Sequence, residues 1–179
     1  MQELSLHILD IAKNSVIADA KKIEIRITED IEEDIFLIEI NDDGKGMNKE
    51  FLQNVTNPFT TSRTTRRVGL GIPLFKAAAE QTGGYFKIES EPGKGTRLAA
   101  CFGHSSVDRA PLGDIAGSVV TLINGSPGIV FSFTHTVNKN SFNFDTEQIK
   151  EILGPIDISS PEITLWINEF LTENIKELY

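Results

Sequence analysis

A mostly apolar run, Ile35-Phe36-Leu37-Ile38-Glu39-Ile40, is broken by Asp42-Asp43-Gly44-Lys45-Gly46-Met47, and this junction constrains the fold more than any other feature. The run reads as a buried strand. Glycines at alternate positions then let the backbone turn sharply and approach another group closely. The run before it, Ile23-Glu24-Ile25-Arg26-Ile27-Thr28, alternates strictly and predicts a half-buried strand. The acidic turn over 30–34 makes the two a hairpin. A second glycine stretch, Gly69-Leu70-Gly71-Ile72-Pro73, predicts a helix starting near Ile72, with Pro73 in its first turn and Gly83-Gly84 ending it.

The remaining elements follow from periodicity. Residues 3–20 read as a helix, with Leu4, Ile8 and Ile11 in one apolar row and Leu9, Ala12 and Val16 in another. Asp10, Asn14 and Lys21 share a polar row at helical spacing. A short helix is predicted over 48–54, then a polar, Thr-rich basic stretch over 57–68, then strands over 85–90 and 96–102. Beyond these, 105–113 reads as a linker, 118–123 and 129–135 as two strands forming a hairpin, and 146–153 and 161–178 as helices capped by Asp145 and Ser160. The expected division is a domain over 1–104 and an extension over 105–179, a hairpin followed by helices.

Three stretches carry chemistry. Asp10 and Asn14, one helical turn apart, project side by side. A carboxamide oxygen is a neutral hard ligand suited to Mg²⁺, and a nearby carboxylate can orient a water or take a proton. Asp42, at a strand end beside a glycine turn, can accept a hydrogen bond from an exocyclic amine such as that of adenine. The Gly69-Leu70-Gly71 turn opens a helix whose free N–H groups favour phosphate, and Arg63, Arg66 and Arg67 just upstream can act as bidentate phosphate donors. Alone, each also fits a solvated helix face, an ordinary β-turn or a basic loop. Rival phosphate motifs fail. Both glycine turns lack the third glycine of a dinucleotide fingerprint, and Gly93-Lys94-Gly95-Thr96 joins two strands rather than a strand and a helix.

Taken together, these pieces resemble the GHKL superfamily of ATPases and kinases over residues 4–102: gyrase-type topoisomerases, mismatch-repair ATPases, heat-shock chaperones and the catalytic domains of sensor histidine kinases. The resemblance implies an α+β fold of the Bergerat type, an α/β sandwich whose mixed sheet is covered on one face by helices. It implies ATP and Mg²⁺ as ligands. Asn14 matches the Mg²⁺-binding Asn of the N box, and Asp10 falls where related ATPases and serine kinases place a general-base Glu. Asp42 matches the adenine-reading Asp, with Gly44, Gly46 and Met47 completing its turn. Phe59, Thr60 and Thr61 fall at the start of the ATP lid, which also carries Arg63. Gly69, Leu70 and Gly71 match the second glycine box, and Thr96 the Thr near adenine. Asp at the base position is one methylene shorter than Glu. No stretch resembles a phospho-acceptor helix, and no sensor, membrane anchor or dimerisation hairpin is expected before the N box.

The functions this leaves open are a kinase phosphorylating His or Ser on another protein, ranked first, an ATP-gated partner-binding module, and a plain ATPase. A formal charge of −9 argues against nucleic-acid binding. No membrane span or signal peptide is legible, and the lone Cys101 suits a buried thiol in a reducing cytoplasm. His7, His104 and His135 are scattered and form no ligand cluster. Oligomeric state is left open.

Overall fold

The computed structural model describes residues 3–57 and 70–179. Six strands form a single mixed sheet in the order β3-β4-β2-β1-β5-β6. The strands are β1 (Lys22–Asp30), β2 (Ile35–Asp42), β3 (Tyr85–Glu91), β4 (Gly95–Gly103), β5 (Val130–Val137) and β6 (Asn140–Asp145). The helices are α1 (Leu4–Ile17), α2 (Lys49–Val55), α3 (Gly71–Gln81), α4 (Ile115–Gly125), α5 (Thr146–Leu153) and α6 (Pro161–Lys176). Only β1 and β5 pair in parallel; every other neighbouring pair is antiparallel.

Register explains why one face is the core. Ile25 lies opposite Ile40 and Phe133, Ile40 opposite Leu98, and Leu98 opposite Ile88. Because side chains alternate along a strand, this register puts the apolar members on one face, where the helices cover them. Phe75 of α3 is fully buried there, packed against Phe86, Phe102 and the stacked ring of His7. The opposite face carries Glu24, Arg26, Glu39 and Arg97, as expected for an antiparallel sheet wetted on one side.

The expected elements over 1–104 are present, with one adjustment. α1 stops at Ile17, because Asp19 adopts φ 60° and turns the chain. Lys21 therefore leaves the polar row of Asp10 and Asn14 and sits at the entry to β1. α3 ends as expected, with Gly83 at φ 81° and Gly84 N–H donating to the Ala79 carbonyl.

The larger correction lies in the tail. The segment 118–123, expected as a strand, is helical and belongs to α4, so the expected hairpin does not form there. Asp114 caps that helix by accepting from Gly117 N–H, and α4 packs between α1 and α6, burying Val119, Val120, Leu122 and Ile123. Apolar cover from two helices suits an all-round apolar helix as well as it suits a buried strand. The actual hairpin is β5–β6, whose second strand the sequence reading missed. It continues the sheet beyond β1, so the tail shares one core with the rest of the chain. Residues 111–112, within the expected linker, satisfy the start of α1: Leu4 and Ser5 N–H donate to the carbonyls of Pro111 and Leu112. Asp145 caps α5 through Glu147 N–H, whereas Ser160 precedes α6 without a side-chain cap bond.

Candidate functional site

A cavity of about 250 Å³ lies between α1, the ends of β2 and β4, β3, α2 and the start of α3. Its walls are mostly apolar, including Ile40, Met47, Ile72, Ile88 and Leu98. Asn14, Ser15, Asp42, Lys45 and Thr96 supply its polar groups. An apolar slot with a few convergent polar groups suits a planar base carrying polar edges.

The Asp42 corner is held from several sides. One carboxylate oxygen accepts from Gly44 N–H at 2.9 Å, and the other accepts from the Ser15 hydroxyl at 2.6 Å. Ser15 follows the predicted Asn14 on α1 and is buried. Asp42 pairs in register with Thr96. Ser90 accepts from Met47 N–H and donates to the Gly95 carbonyl, both at 2.9 Å. Its single proton is then used, so Thr96 Oγ1, also 2.9 Å away, donates to Ser90 and keeps its lone pairs for another donor. Ser15 and Ser90 are the residues that sequence reasoning missed. Neither lies in a motif, and their roles come from bonds across elements.

Two glycine turns meet back to back beneath this corner. Gly93 N–H donates to the Lys45 carbonyl at 2.8 Å, and Lys45 N–H donates to the Ala18 carbonyl at the end of α1 at 2.8 Å. Gly46 (φ 67°) and Gly95 (φ 90°) occupy left-handed backbone. A Cβ on Gly95 would lie 1.9 Å from the Asp42 carbonyl oxygen, and one on Gly46 would lie 1.9 Å from that of Glu91. The neighbouring Asp43 has a separate, structural task. It accepts from the backbone N–H groups of Lys22 and Lys21, and these bonds hold its carboxyl below its usual range.

The first and third stretches also meet. Asp10 does not line the cavity; its carboxylate lies at the N-terminus of α3, so close that a Cβ on Gly71 would fall 2.0 Å from Oδ2. Free N–H groups and the helix dipole favour negative charge at this end. Gly71→Ala is expected to displace the Asp10 carboxylate while costing no more than about 1 kcal/mol of stability, since the obstructing atom is the tip of a side chain. Thermal unfolding beside nucleotide turnover separates those two effects. Leu70 is exposed and stands at the N-cap of α3. Phe59, Thr60, Thr61, Arg63, Arg66, Arg67 and Gly69 lie outside the described residues.

The structure thus brings Asn14, Asp42, Gly46, Met47 and Thr96 to one cavity, with Gly44 in the turn beneath it and Asp10, Leu70 and Gly71 at the start of α3. Residues 2–104 match the family described as "Histidine kinase-, DNA gyrase B-, and HSP90-like ATPase". The chain belongs to this family. Among curated relatives, it is similar to sensor kinase CckA of Brucella abortus (strain 2308), at 28% identity over 86% of this chain and 18% of the relative. It is also similar to sporulation kinase C of Bacillus subtilis (strain 168), at 37% identity over 34% of this chain and 14% of that protein. The chain therefore spans less than a fifth of the length of these relatives. Among solved structures, the N-terminal domain of a DNA repair protein aligns at TM-score 0.56 and 12% identity, covering 88% of this chain and 59% of that one. The Aquifex aeolicus MutL ATPase domain complexed with ADP aligns at TM-score 0.50 and 15% identity, covering 86% and 69%. These two likenesses show the fold, including the mixed sheet with its layer of helices. Among the described residues, no helix is long and apolar enough to cross a membrane.

Proposed function

We propose that this chain binds Mg²⁺·ATP in the cavity and passes the γ-phosphoryl group to a side chain of another protein in a signalling step. The observation that carries the reading is convergence: Asn14, Asp42 and Thr96 face one apolar-walled cavity, and Asp10 stands at the neighbouring helix N-terminus. Asp42 accepts the exocyclic amine of adenine, and Thr96 offers a free lone pair on the same wall. Ile40, Met47, Ile88 and Leu98 cover the faces of the base. The Asn14 carboxamide fits Mg²⁺, which keeps several waters and is completed by phosphate oxygens, so it needs no cluster of protein ligands. Among the described residues there is no such cluster of His, Cys, Asp and Glu. Bound there, Mg²⁺ neutralises charge on the phosphates.

Transfer forms a bond between the acceptor atom and the γ-phosphorus, breaks the bridging bond to the β-phosphate and releases ADP. Asp10 takes the proton from the acceptor. Leu70 and Gly71 present backbone to the phosphates, with Gly69 and the residues Phe59, Thr60, Thr61 and Arg63 assigned to the lid on sequence alone. The relatives, a sensor kinase and a sporulation kinase, support a kinase over a plain ATPase, and the ADP of the MutL structure supports the choice of nucleotide.

A second reading, an ATP-gated partner-binding module with slow turnover, draws on Asp10. Its carboxylate packs against Gly71 rather than lining the cavity. Labelled ATP incubated with the protein and extract of its native cell decides between them. Label transferred to a protein, and lost by at least about tenfold in Asp10→Asn with nucleotide affinity unchanged, supports the kinase. Tight binding of a non-hydrolysable analogue without label transfer supports the module. Absence of calorimetric heat at millimolar analogue and Mg²⁺ would overturn both.

A further inference from the structure

Outside the nucleotide cavity, the last helix builds a surface that the proposed chemistry does not use. None of the cavity-lining residues comes from β5, β6 or α4–α6. On α6, Ile167 and Leu171 point into the core, yet Trp166 is 44% exposed and Leu165 61%. Trp166 stacks on Phe170 at 5.2 Å between centroids and 17° between planes. Phe170 meets Phe142 of β6 edge-on at 5.7 Å and the buried Phe144 at 6.5 Å. The result is an aromatic shelf anchored in the core at one end and open to solvent at the other. Among the described residues, β6 is also the last strand of the sheet, paired only with β5.

Carboxylates run along the same stripe. Trp166, Glu169 and Glu173 follow Glu162 by four, seven and eleven residues along α6, which keeps all four on one helical face. All three carboxylates are exposed, and among the described residues no cation pairs with any of them. α6 carries a single cation, Lys176, in its last turn. Residues 105–179 as a whole hold 4 Lys+Arg against 10 Asp+Glu. Rigid exposed aromatics are the side chains that dominate binding energy at protein interfaces, and Trp is the best partner for a cation over its face.

The geometry points to the α6–β6 aromatic shelf as a docking surface for a basic amphipathic segment of a protein partner. Charge sign selects that occupant. A second copy of this chain would set carboxylates against carboxylates, and nucleic acid or an anionic bilayer meets the same repulsion. A helix with an apolar ridge flanked by Lys or Arg lays the ridge on Trp166, Phe170 and Phe142 and sets its cations against Glu162, Glu169 and Glu173. This inference does not rest on the nucleotide reading, and its test contains no nucleotide.

Trp166 is the single Trp of the chain, so its emission reports the shelf directly. The probe is a synthetic amphipathic helix of Leu and Lys, about 18 residues long, titrated into the full chain. The expected result is a shift in Trp166 emission that saturates, with affinity falling at least about tenfold in Glu169→Lys/Glu173→Lys. By calorimetry, Trp166→Ala falls by a similar factor. A peptide with Glu in place of Lys is expected not to bind. Glu32→Lys/Glu33→Lys reverses an equally exposed acidic turn elsewhere and is expected to leave affinity unchanged. The proposal is overturned if that control weakens binding as much as the α6 reversal. It is also overturned if the acidic peptide binds as well as the basic one, or if the wild-type chain dimerises through Trp166 with no response to the peptide. Both charge reversals alter exposed side chains only, so circular dichroism is expected to show each variant folded.

Discussion

Asp42→Asn is expected to weaken binding of a non-hydrolysable adenine nucleotide by roughly 10- to 100-fold, the size of a lost hydrogen bond to a charged group. The reason is the count of donors around this carboxylate. Gly44 N–H can only donate, so an Asn side chain must turn its carbonyl oxygen toward it. Its NH₂ then faces Ser15, whose hydroxyl rotates from donating to accepting. The fold therefore survives, and the melting temperature is expected to move by only a few degrees. The nucleotide fares differently. Ser15 and Asp42 both line the cavity, and on that side an exocyclic amine now meets an amide donor. Donor opposes donor where donor met acceptor. The same change suits a base with a carbonyl at that position, so the Asn variant is expected to lose its preference for adenine over hypoxanthine. Calorimetric titration with adenine and inosine triphosphate analogues measures both effects. Equal affinity of wild type and variant for the adenine analogue would remove Asp42 from recognition.

The parts of this site that were legible in the sequence are those whose residue type and position in an element suffice. Asp10 and Asn14 are one turn apart on a periodic helix, and Asp42 ends an apolar strand at a glycine turn, so local pattern gives both. Ser15 and Ser90 were not legible, because nothing local distinguishes a hydroxyl that braces a carboxylate from one that meets water. The strict alternation of β1 made its inward face readable as far as Ile27. In the tail, local pattern misled. Ser118-Val119-Val120-Thr121-Leu122-Ile123 is rich in β-branched residues and reads as a strand, but the cap at Asp114 and cover from α1 and α6 make it a helix. β6 is short, and its two inward residues, Phe142 and Phe144, are set among Asn and Ser, which read as turn. The family resemblance ends near the point where these misreadings begin. No motif was available to correct them.

Least legible of all was the fate of two of the histidines. His104 and His135 are 31 positions apart in the sequence and show no ligand spacing, yet both meet Glu29. Glu29 continues the inward row Ile23, Ile25, Ile27 and is 3% exposed. It accepts from His135 Nε2 at 2.8 Å, from His104 Nε2 at 2.9 Å and from the Tyr179 hydroxyl. An ionised carboxylate only accepts, so both Nε2 atoms carry hydrogen. One side chain thus ties β1 to β5, to the end of β4 and to the last residue of the chain. Burial pushes its pKa up, but the hydrogen bonds from His135, Tyr179 and His104 outweigh burial and hold it at about 2, against 4.5 for a free Glu. The folded-state value is the lower one. Its contribution is therefore complete above pH 4.5 and is lost as pH falls toward 2, and the difference amounts to about 3 kcal/mol.

Glu29→Gln is accordingly expected to destabilise the protein at neutral pH by about 3–5 kcal/mol, because one carbonyl oxygen cannot serve three donors and the amide adds another. Tyr179→Phe removes a single donor at the more exposed end and is expected to cost about 1 kcal/mol. Urea unfolding of wild type and Glu29→Gln across the acid range gives the decisive comparison. The stability gap between them is expected to stay constant above pH 5 and to shrink steadily below 4.5, as Glu29 of the unfolded wild-type chain takes up a proton that the folded carboxylate still resists. Other carboxylates titrate in both proteins and cancel in the difference. A gap that stays flat down to pH 3 would show that Glu29 stabilises by packing alone, with its charge contributing nothing.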